Sequence, residues 1–110
     1  MQVVHSDRAA LQAIVDDLLE RHLIACGQLL GPISSSFRWQ GSLQREDEWL
    51  ALLKTASSRL QEVLARVREL HSYEVPEVLA LDVRDGESSY LGWVLAETAR
   101  QPRASGETAS

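Results

Sequence analysis

The chain has 110 residues, of which 45% are hydrophobic and 25% charged, and its formal net charge is -5. These proportions are typical of one soluble globular domain and not of a disordered chain. The acidic balance disfavours nucleic-acid binding, which needs a basic surface. The single cysteine, Cys26, excludes an internal disulfide and any metal site with several thiolates from one subunit.

Neither end of the chain reads as a targeting or membrane segment. The first residues lack the basic start and long apolar run of a secretory signal. No stretch approaches the roughly 20 apolar residues that span a bilayer. We therefore expect a cytoplasmic protein with no membrane contact. Residues 101–110 are small and polar and include Pro102 and Gly106, so we expect a flexible tail after a folded domain of residues 1–100.

The first half of the chain predicts a strand, a helix and a hairpin. Val3-Val4 forms a short strand, and Ser6 or Asp7 caps the helix that follows. The face of this helix carries apolar residues at helical spacing: Leu11, Ile14, Val15, Leu18, Leu19 and His22. Two strand-like runs, Phe37–Gln40 and Trp49–Leu53, then lie on either side of a Gly41-Ser42 turn.

The second half predicts a helix, a strand and a helix. A helical stripe runs from Leu60 to Leu70, and Ser58 with Gln61 has the form of a capping box. Residues 78–83 read as a buried strand, and a third helix runs from about Ser89 to Arg100. The order is β-α-β-β-α-β with an extra C-terminal helix, which predicts an α+β, ferredoxin-like fold.

This fold leaves one face of its sheet without helices. The segment Trp49–Leu53 is apolar at almost every position, which indicates burial on both faces. The sequence therefore predicts a second subunit against the open face.

The residues that could carry chemistry are few. Cys26 lies in an apolar segment, where a thiol is either an inert small hydrophobe or a ligand. His71 follows the second helix, where it either bonds the last carbonyls or binds a metal. The segment 71–77 is either a rigid connector or the rim of a polar cleft that uses Tyr73 and Glu77. Ser34–Ser36 lacks the surroundings of a nucleophile elbow, and no Gly-rich phosphate loop is present, so we expect no enzyme activity.

Five segments together resemble the CutA family, the divalent-cation tolerance proteins. They are Leu-Ile-Ala-Cys at 23–26, Phe-Arg-Trp-Gln-Gly at 37–41, Leu-Lys-Thr at 53–55, Tyr-Glu-Val-Pro-Glu at 73–77 and Tyr-Leu-Gly-Trp at 90–93. They occur in the order and spacing of the family, and the resemblance extends from Val3 to Thr98.

The resemblance implies a ferredoxin-like homotrimer similar to the PII signalling proteins, whose clefts between subunits bind small effectors. It also implies a set of residues that line or support the corresponding cleft. By their match to the family's motifs these are Trp39, Lys54, Tyr73, Glu77, Tyr90 and Trp93.

Copper or another divalent cation is the ligand that the resemblance implies, and no cofactor is otherwise required. The family's proposed ligands are a first-strand cysteine and two adjacent histidines. Here those positions hold Val3 and the pair Leu70-His71, and the proline that follows is Ser72. Only His71, with Cys26 as a second candidate, remains as a metal ligand, so we expect weak copper binding. The alternatives are a PII-like small-molecule sensor and an oligomeric scaffold.

Overall fold

The computed structural model describes residues 1–99, which form a four-stranded antiparallel sheet covered by helices. The elements in chain order are β1 (Gln2–His5), α1 (Arg8–Glu20), β2 (Cys26–Trp39), β3 (Ser42–Lys54), a 3₁₀ turn (Ser57–Arg59), α2 (Leu60–Leu70), β4 (Val78–Leu79) and α3 (Ser88–Glu97). The strand order across the sheet is β2-β3-β1-β4. The predicted ferredoxin-like βαββαβ fold with a further helix is confirmed. The predicted tail at 101–110 lies outside the described residues.

The core lies between the sheet and helices α1 and α2. Asp7 caps α1, because its Oδ1 accepts a hydrogen bond from the backbone N–H of Ala10 at 3.2 Å. The core side chains come from the two helices and from β1 and β3, and they include Leu11, Ile14, Val15, Leu18, Val63, Val67, Val3, Ala51 and Leu53. Each fully buried aliphatic side chain contributes about 1.5–3 kcal/mol.

Two members of the predicted α1 stripe do not join this core. Leu19 is 38% exposed. His22 lies beyond the end of the helix in the left-handed region, with φ of 57°, and its Nδ1 lies 3.2 Å from the carbonyl oxygen of Glu97. The helix stops before His22, so helical spacing no longer places that side chain on the buried face.

The predicted capping box at the start of α2 is wrong. Ser58 lies inside the 3₁₀ turn, and α2 begins after Arg59 with no side-chain cap. The turn is closed by its own backbone, because Arg59 N–H donates to the Ala56 carbonyl at 2.9 Å. A 3₁₀ turn of this kind is common at a helix N-terminus and moves the helix start away from the serine.

The hairpin is much longer than the two short strands that the sequence predicts. β2 has 14 residues and β3 has 13, and they stay paired from Cys26↔Lys54 to Trp39↔Ser42. The polar residues 44–48 form part of β3. A β-bulge between Leu30 and Ile33 interrupts the register. Gly31 lies in this bulge with φ of 152°, and a Cβ there would lie 2.6 Å from Cε3 of Trp49, so only glycine fits.

The last predicted strand is too long. β4 comprises only Val78 and Leu79, which pair with Val3 and Gln2 of β1. The ladder between β1 and β4 ends at the pair Gln2↔Leu79. Leu81 and Val83 are consequently exposed. The third helix ends at Glu97, before the predicted end at Arg100, which lies outside the described residues.

None of the helices within residues 1–99 is both long enough and apolar enough to cross a membrane.

Candidate functional site

A cleft of about 670 Å³ lies beside the outer half of the long hairpin. One wall is the surface of β2 and β3, and the other is the segment 73–77 between α2 and β4. We call this the hairpin cleft. The residues that line it include Val4, Ser35, Phe37, Trp39, Gln44, Glu46, Glu48, Tyr73, Glu74, Val75, Pro76 and Glu77. Its volume is within the range of small-molecule sites.

The hairpin wall follows from strand alternation and from the bulge. Residues 44, 46 and 48 of β3 point to one face because successive side chains alternate. Their cross-strand partners on β2 are Phe37, Ser35 and Ile33. Nearer the base of the hairpin, the partner of Leu50 on the same face is Leu30. The extra residue of the bulge lets both Leu30 and Ile33 face the same side, and so directs Phe37 and Trp39 into the cleft.

Tyr73 joins the two walls of the cleft through its hydroxyl group. The phenol oxygen accepts a hydrogen bond from the Ser6 backbone N–H at 2.8 Å. It donates one to Oε2 of Glu48 at 3.0 Å. Burial raises the pKa of Tyr73 above its ordinary value, and the hydrogen bond to Glu48 raises it further, whereas the Ser6 N–H lowers it. The phenol therefore stays protonated at neutral pH and donates its proton in the hydrogen bond to Glu48.

The rings of two histidines, His5 and His71, pack against the ring of Tyr73. The rings of His5 and His71 stack with centroids 4.5 Å apart, and the Tyr73 ring lies 5.0 Å from His5 and 4.7 Å from His71. The Nδ1 atom of each imidazole accepts a backbone N–H, from Asp7 for His5 and from Tyr73 for His71. Both rings therefore carry their proton on Nε2.

The proton-bearing nitrogens are also occupied. Nε2 of His71 donates to the Val4 carbonyl at 2.7 Å, and Nε2 of His5 lies 3.0 Å from the Ser72 hydroxyl. Burial lowers the pKa of His5 below its ordinary value, and His71 lowers it further, whereas Asp7 and Glu48 act in the opposite sense. The pair thus forms a buried, hydrogen-bonded support between β1 and the segment after α2.

The six predicted cleft residues lie in three places within one chain. Trp39, Tyr73 and Glu77 line the hairpin cleft. Lys54 lies at the opposite end of the hairpin, where its Nζ donates to Oε1 of Gln28 at 2.7 Å.

The remaining two predicted cleft residues lie on α3. The rings of Tyr90 and Trp93 have centroids 5.7 Å apart, and both side chains are exposed. Three of the six predicted cleft residues therefore line the hairpin cleft of a single chain. A cleft shared between subunits stays a prediction for Lys54, Tyr90 and Trp93.

The predicted metal ligands His71 and Cys26 do not form a site together. Both ring nitrogens of His71 are engaged in hydrogen bonds. Val4, to which His71 bonds, pairs with Leu50, whereas Cys26 pairs with Lys54. Four residues along β3 separate these positions by about 13 Å. In the described part of the chain, no three His, Cys, Asp or Glu side chains converge as a metal-binding group.

Sequence reasoning considered Glu48 as one of a carboxylate pair and His5 as a metal ligand, and kept neither among the site residues. Glu48 lies in a charged run that reads as solvated surface, yet it is only 6% exposed. His5 follows Val4 in the first strand and shows no motif of its own. Residues 44–48 are all polar, so no alternation in the sequence indicated that Glu48 is buried. Only their place in β3 shows that Glu48 points to the same face as Gln44 and Glu46.

The fold and the cleft define the class: a small ferredoxin-like domain with an extended hairpin and a ligand-sized cleft at its side. Comparison with known proteins makes this assignment specific. Residues 1–97 match the model of the CutA1 divalent ion tolerance protein family. The chain belongs to this family.

Relatives of the chain carry the same name. It is 38% identical over 90 residues to the divalent-cation tolerance protein CutA of Pectobacterium atrosepticum, which is 82% of each chain. It is 36% identical over 87 residues to that of Thermus thermophilus, which is 79% of this chain and 84% of the relative.

Solved structures agree with the assignment. The Thermus thermophilus divalent cation tolerance protein superposes with a TM-score of 0.86 at 32% identity, covering 89% of this chain and 95% of that one. The CutA1 structure from Oryza sativa gives a TM-score of 0.86 at 30% identity, covering 91% and 92%.

Proposed function

We propose that this chain acts in divalent-cation tolerance as a non-enzymatic homotrimer. Family membership supports the role, and the observation that carries the assembly is the uncovered outer face of the sheet. Leu30, Leu50 and Leu52 lie on the face opposite α1 and α2, with Leu79 of β4 beside them. Leu30 is 47% and Leu79 51% exposed. An apolar sheet face of this extent is stabilised when another subunit covers it.

Sedimentation equilibrium tests the assembly. The wild-type chain is expected to sediment as a trimer at micromolar concentration, and Leu30→Lys is expected to dissociate it because a charge then faces the buried interface. Leu19→Lys is the matched control, since Leu19 is also exposed but lies on α1, on the other side of the sheet. A monomeric wild-type chain would refute the trimer.

For metal binding, we propose that the chain holds copper weakly. The support is the engagement of both His71 nitrogens and the separation of Cys26 from them. Isothermal titration with copper alone is expected to show low affinity that Cys26→Ser and His71→Ala leave unchanged. Submicromolar, stoichiometric binding that His71→Ala abolishes, in a variant whose circular dichroism shows it to be folded, would overturn this proposal.

The second candidate function is small-molecule sensing at the hairpin cleft, as in PII-like proteins. Its support is the size of the cleft and the aromatic side chains in its wall. A thermal-shift screen against divalent ions and common metabolites separates the two functions, because a ligand that binds only the folded state raises its Tm. Stabilisation by metal ions alone favours the tolerance role, and no response to any ligand favours an oligomeric scaffold.

We propose a cytoplasmic location, which the free Cys26 thiol supports because cytosolic thiols stay reduced. One structural relative, from Archaeoglobus fulgidus, is described as periplasmic. Fractionation of cells that express the chain distinguishes the two compartments.

A further inference from the structure

Two opposite charges of β3 lie on the outer face of the sheet, the face without helices. Ala51 and Leu53 of this strand are buried in the core beneath the helices. Because successive side chains of a strand point to opposite faces, Glu48 and Lys54 both lie on the other face. This is the face whose leucines a neighbouring subunit covers in the proposed trimer.

Glu48 is a buried carboxylate without a cation beside it. The residue is only 6% exposed, and the Tyr73 hydroxyl donates a hydrogen bond to it. Within residues 1–99, no lysine or arginine forms an ion pair with it. Burial lowers the pKa of His5 below its ordinary value, so this ring is mainly neutral at pH 7. A buried carboxylate is costly unless a cation pairs with it.

Lys54 is a cation without a carboxylate beside it. Its Nζ donates to the uncharged Oε1 of Gln28 at 2.7 Å. No ion pair of the described residues includes Lys54. It lies six residues from Glu48 along β3, which separates the two Cα atoms by about 20 Å. The two side chains therefore cannot meet within one chain.

Lys54 is also the one basic side chain on the outer face of the four described strands. The cross-strand pairs place on this face Gln2, Val4, Cys26, Gln28, Leu30, Ile33, Ser35, Phe37, Trp39 and Leu79, none of which is basic. Arg38 and Arg45 have the opposite parity and lie on the other side of the hairpin. When the outer faces of two copies pack together, Lys54 is thus the strand residue that can supply a cation to Glu48.

We propose that in the trimer Lys54 of each copy pairs with Glu48 of a neighbouring copy. The carboxylate is then held by Tyr73 from its own chain and by Lys54 from the next. Cyclic symmetry repeats this pair three times and leaves neither charge unpaired. The inference rests on the trimer proposed above and adds the residue that each copy contributes to the hairpin cleft of its neighbour.

A double-mutant cycle on the assembled protein tests the pair. The four chains are the wild type, Glu48→Gln, Lys54→Met and the double variant. Sedimentation equilibrium over a range of chain concentrations, with urea added to bring dissociation into range, gives their association constants. Glu48→Gln keeps the shape of the side chain and can still accept the Tyr73 hydrogen bond.

The order of the four association constants is the expected result. Lys54→Met should weaken assembly most, by about a hundredfold for each contact between subunits, because it leaves the Glu48 carboxylate buried and unpaired. The double variant should assemble more tightly than Lys54→Met alone, since a neutral amide at position 48 needs no cation. Independent residues would instead make the double variant the weakest of the four.

Two matched pairs of substitutions serve as controls. Glu46 lies on the same face of β3 but is exposed, so Glu46→Gln should only add its own small effect to that of Lys54→Met. Arg84, in the exposed segment after β4, is a second basic group of the chain. Arg84→Met should likewise be additive with Glu48→Gln. Circular dichroism shows that each variant is folded.

Additive losses for Glu48→Gln and Lys54→Met would overturn the inference, as would coupling of Glu48 with Arg84. If Lys54→Met alone does not assemble, recovery of the trimer in the double variant supports the pair, and failure to recover it overturns the pair. A wild-type trimer with additive losses contradicts only this inference. A monomeric wild type contradicts the proposed trimer itself.

Discussion

The hydroxyl group of Tyr73 lies 3.0 Å from Oε2 of Glu48 and ties the segment after α2 to the middle of the hairpin. The same oxygen accepts the Ser6 backbone N–H at the start of the first helix. Three segments distant in sequence therefore meet at one atom, and the cleft between them depends on it. This relationship gives the first of four predictions.

Tyr73→Phe should lower the free energy of unfolding by about 1–3 kcal/mol. The variant keeps the ring and its packing on His5 and His71, but it leaves the buried Glu48 carboxylate and the Ser6 N–H without their partner. Urea unfolding should show a lower midpoint at an unchanged slope. Tyr90→Phe is the control, because Tyr90 is exposed. Equal midpoints for the two variants would contradict the role assigned to the Tyr73 hydroxyl.

Acidification should destabilise the fold through His5. Its folded-state pKa lies below the ordinary 6.5, chiefly because it is buried. The unfolded chain then binds more protons than the folded one, so the free energy of unfolding falls as the pH drops below about 6.5 towards the lowered value. Urea midpoints measured between pH 7 and pH 5 check this. In His5→Asn the slope over this interval should flatten, and an unchanged slope would exclude His5 as its source.

A second pH effect should appear in stronger acid. Arg66 makes two hydrogen bonds to Asp17, from Nε to Oδ1 at 2.9 Å and from Nη2 to Oδ2 at 2.8 Å, joining α2 to α1. The bonds from Arg66 lower the pKa of Asp17 from 3.8 to about 2. A lowered carboxyl pKa stabilises the fold above 3.8, and this contribution is lost as the pH falls towards 2.

Because the Asp17–Arg66 pair is partly solvated, its contribution to the free energy of unfolding is small. Asp17→Asn should remove it at neutral pH and abolish its acid dependence, as measured by thermal unfolding. Asp16→Asn is the control, since within residues 1–99 the side chain of Asp16 accepts a hydrogen bond from Gln12 of its own helix and joins no other element. An equal fall in Tm in the two variants would show that the interhelical Asp17–Arg66 pair does not stabilise the fold.

Two Gly→Ala substitutions should act in opposite directions. A Cβ at Gly27 would lie 2.5 Å from Cγ1 of Val15 in the core, so Gly27→Ala should destabilise by about 1–3 kcal/mol through overpacking. A Cβ at Gly92 meets no atom within 4 Å. Gly92→Ala should stabilise α3 by about 0.5–1 kcal/mol. Calorimetric Tm values check both signs, and a stabilised Gly27→Ala would show that β2 can move away from α1.

The order of the elements and most of the core could be predicted from the sequence. The stripe of α1 from Leu11 to Leu18 and the valines of α2 could be read because helical spacing is a local property of the chain. The five motif segments gave the family, which the family model and relatives confirm. The candidate residues Trp39, Tyr73 and Glu77 followed from those motifs.

Which of these residues lie together in one site follows only from the tertiary structure. The bulge at residues 30–33 changes which side of β2 faces the cleft, and only the pairing with β3 reveals this. The pairing of β4 with β1 extends over only two residues of each strand. The buried Glu48 accepts a hydrogen bond from Tyr73, which lies 25 residues further along the chain. Each of these features depends on contacts between distant segments, which no local pattern records. The acidic composition disfavours nucleic-acid binding, and the fold places four of the carboxylates beside aromatic rings in one cleft.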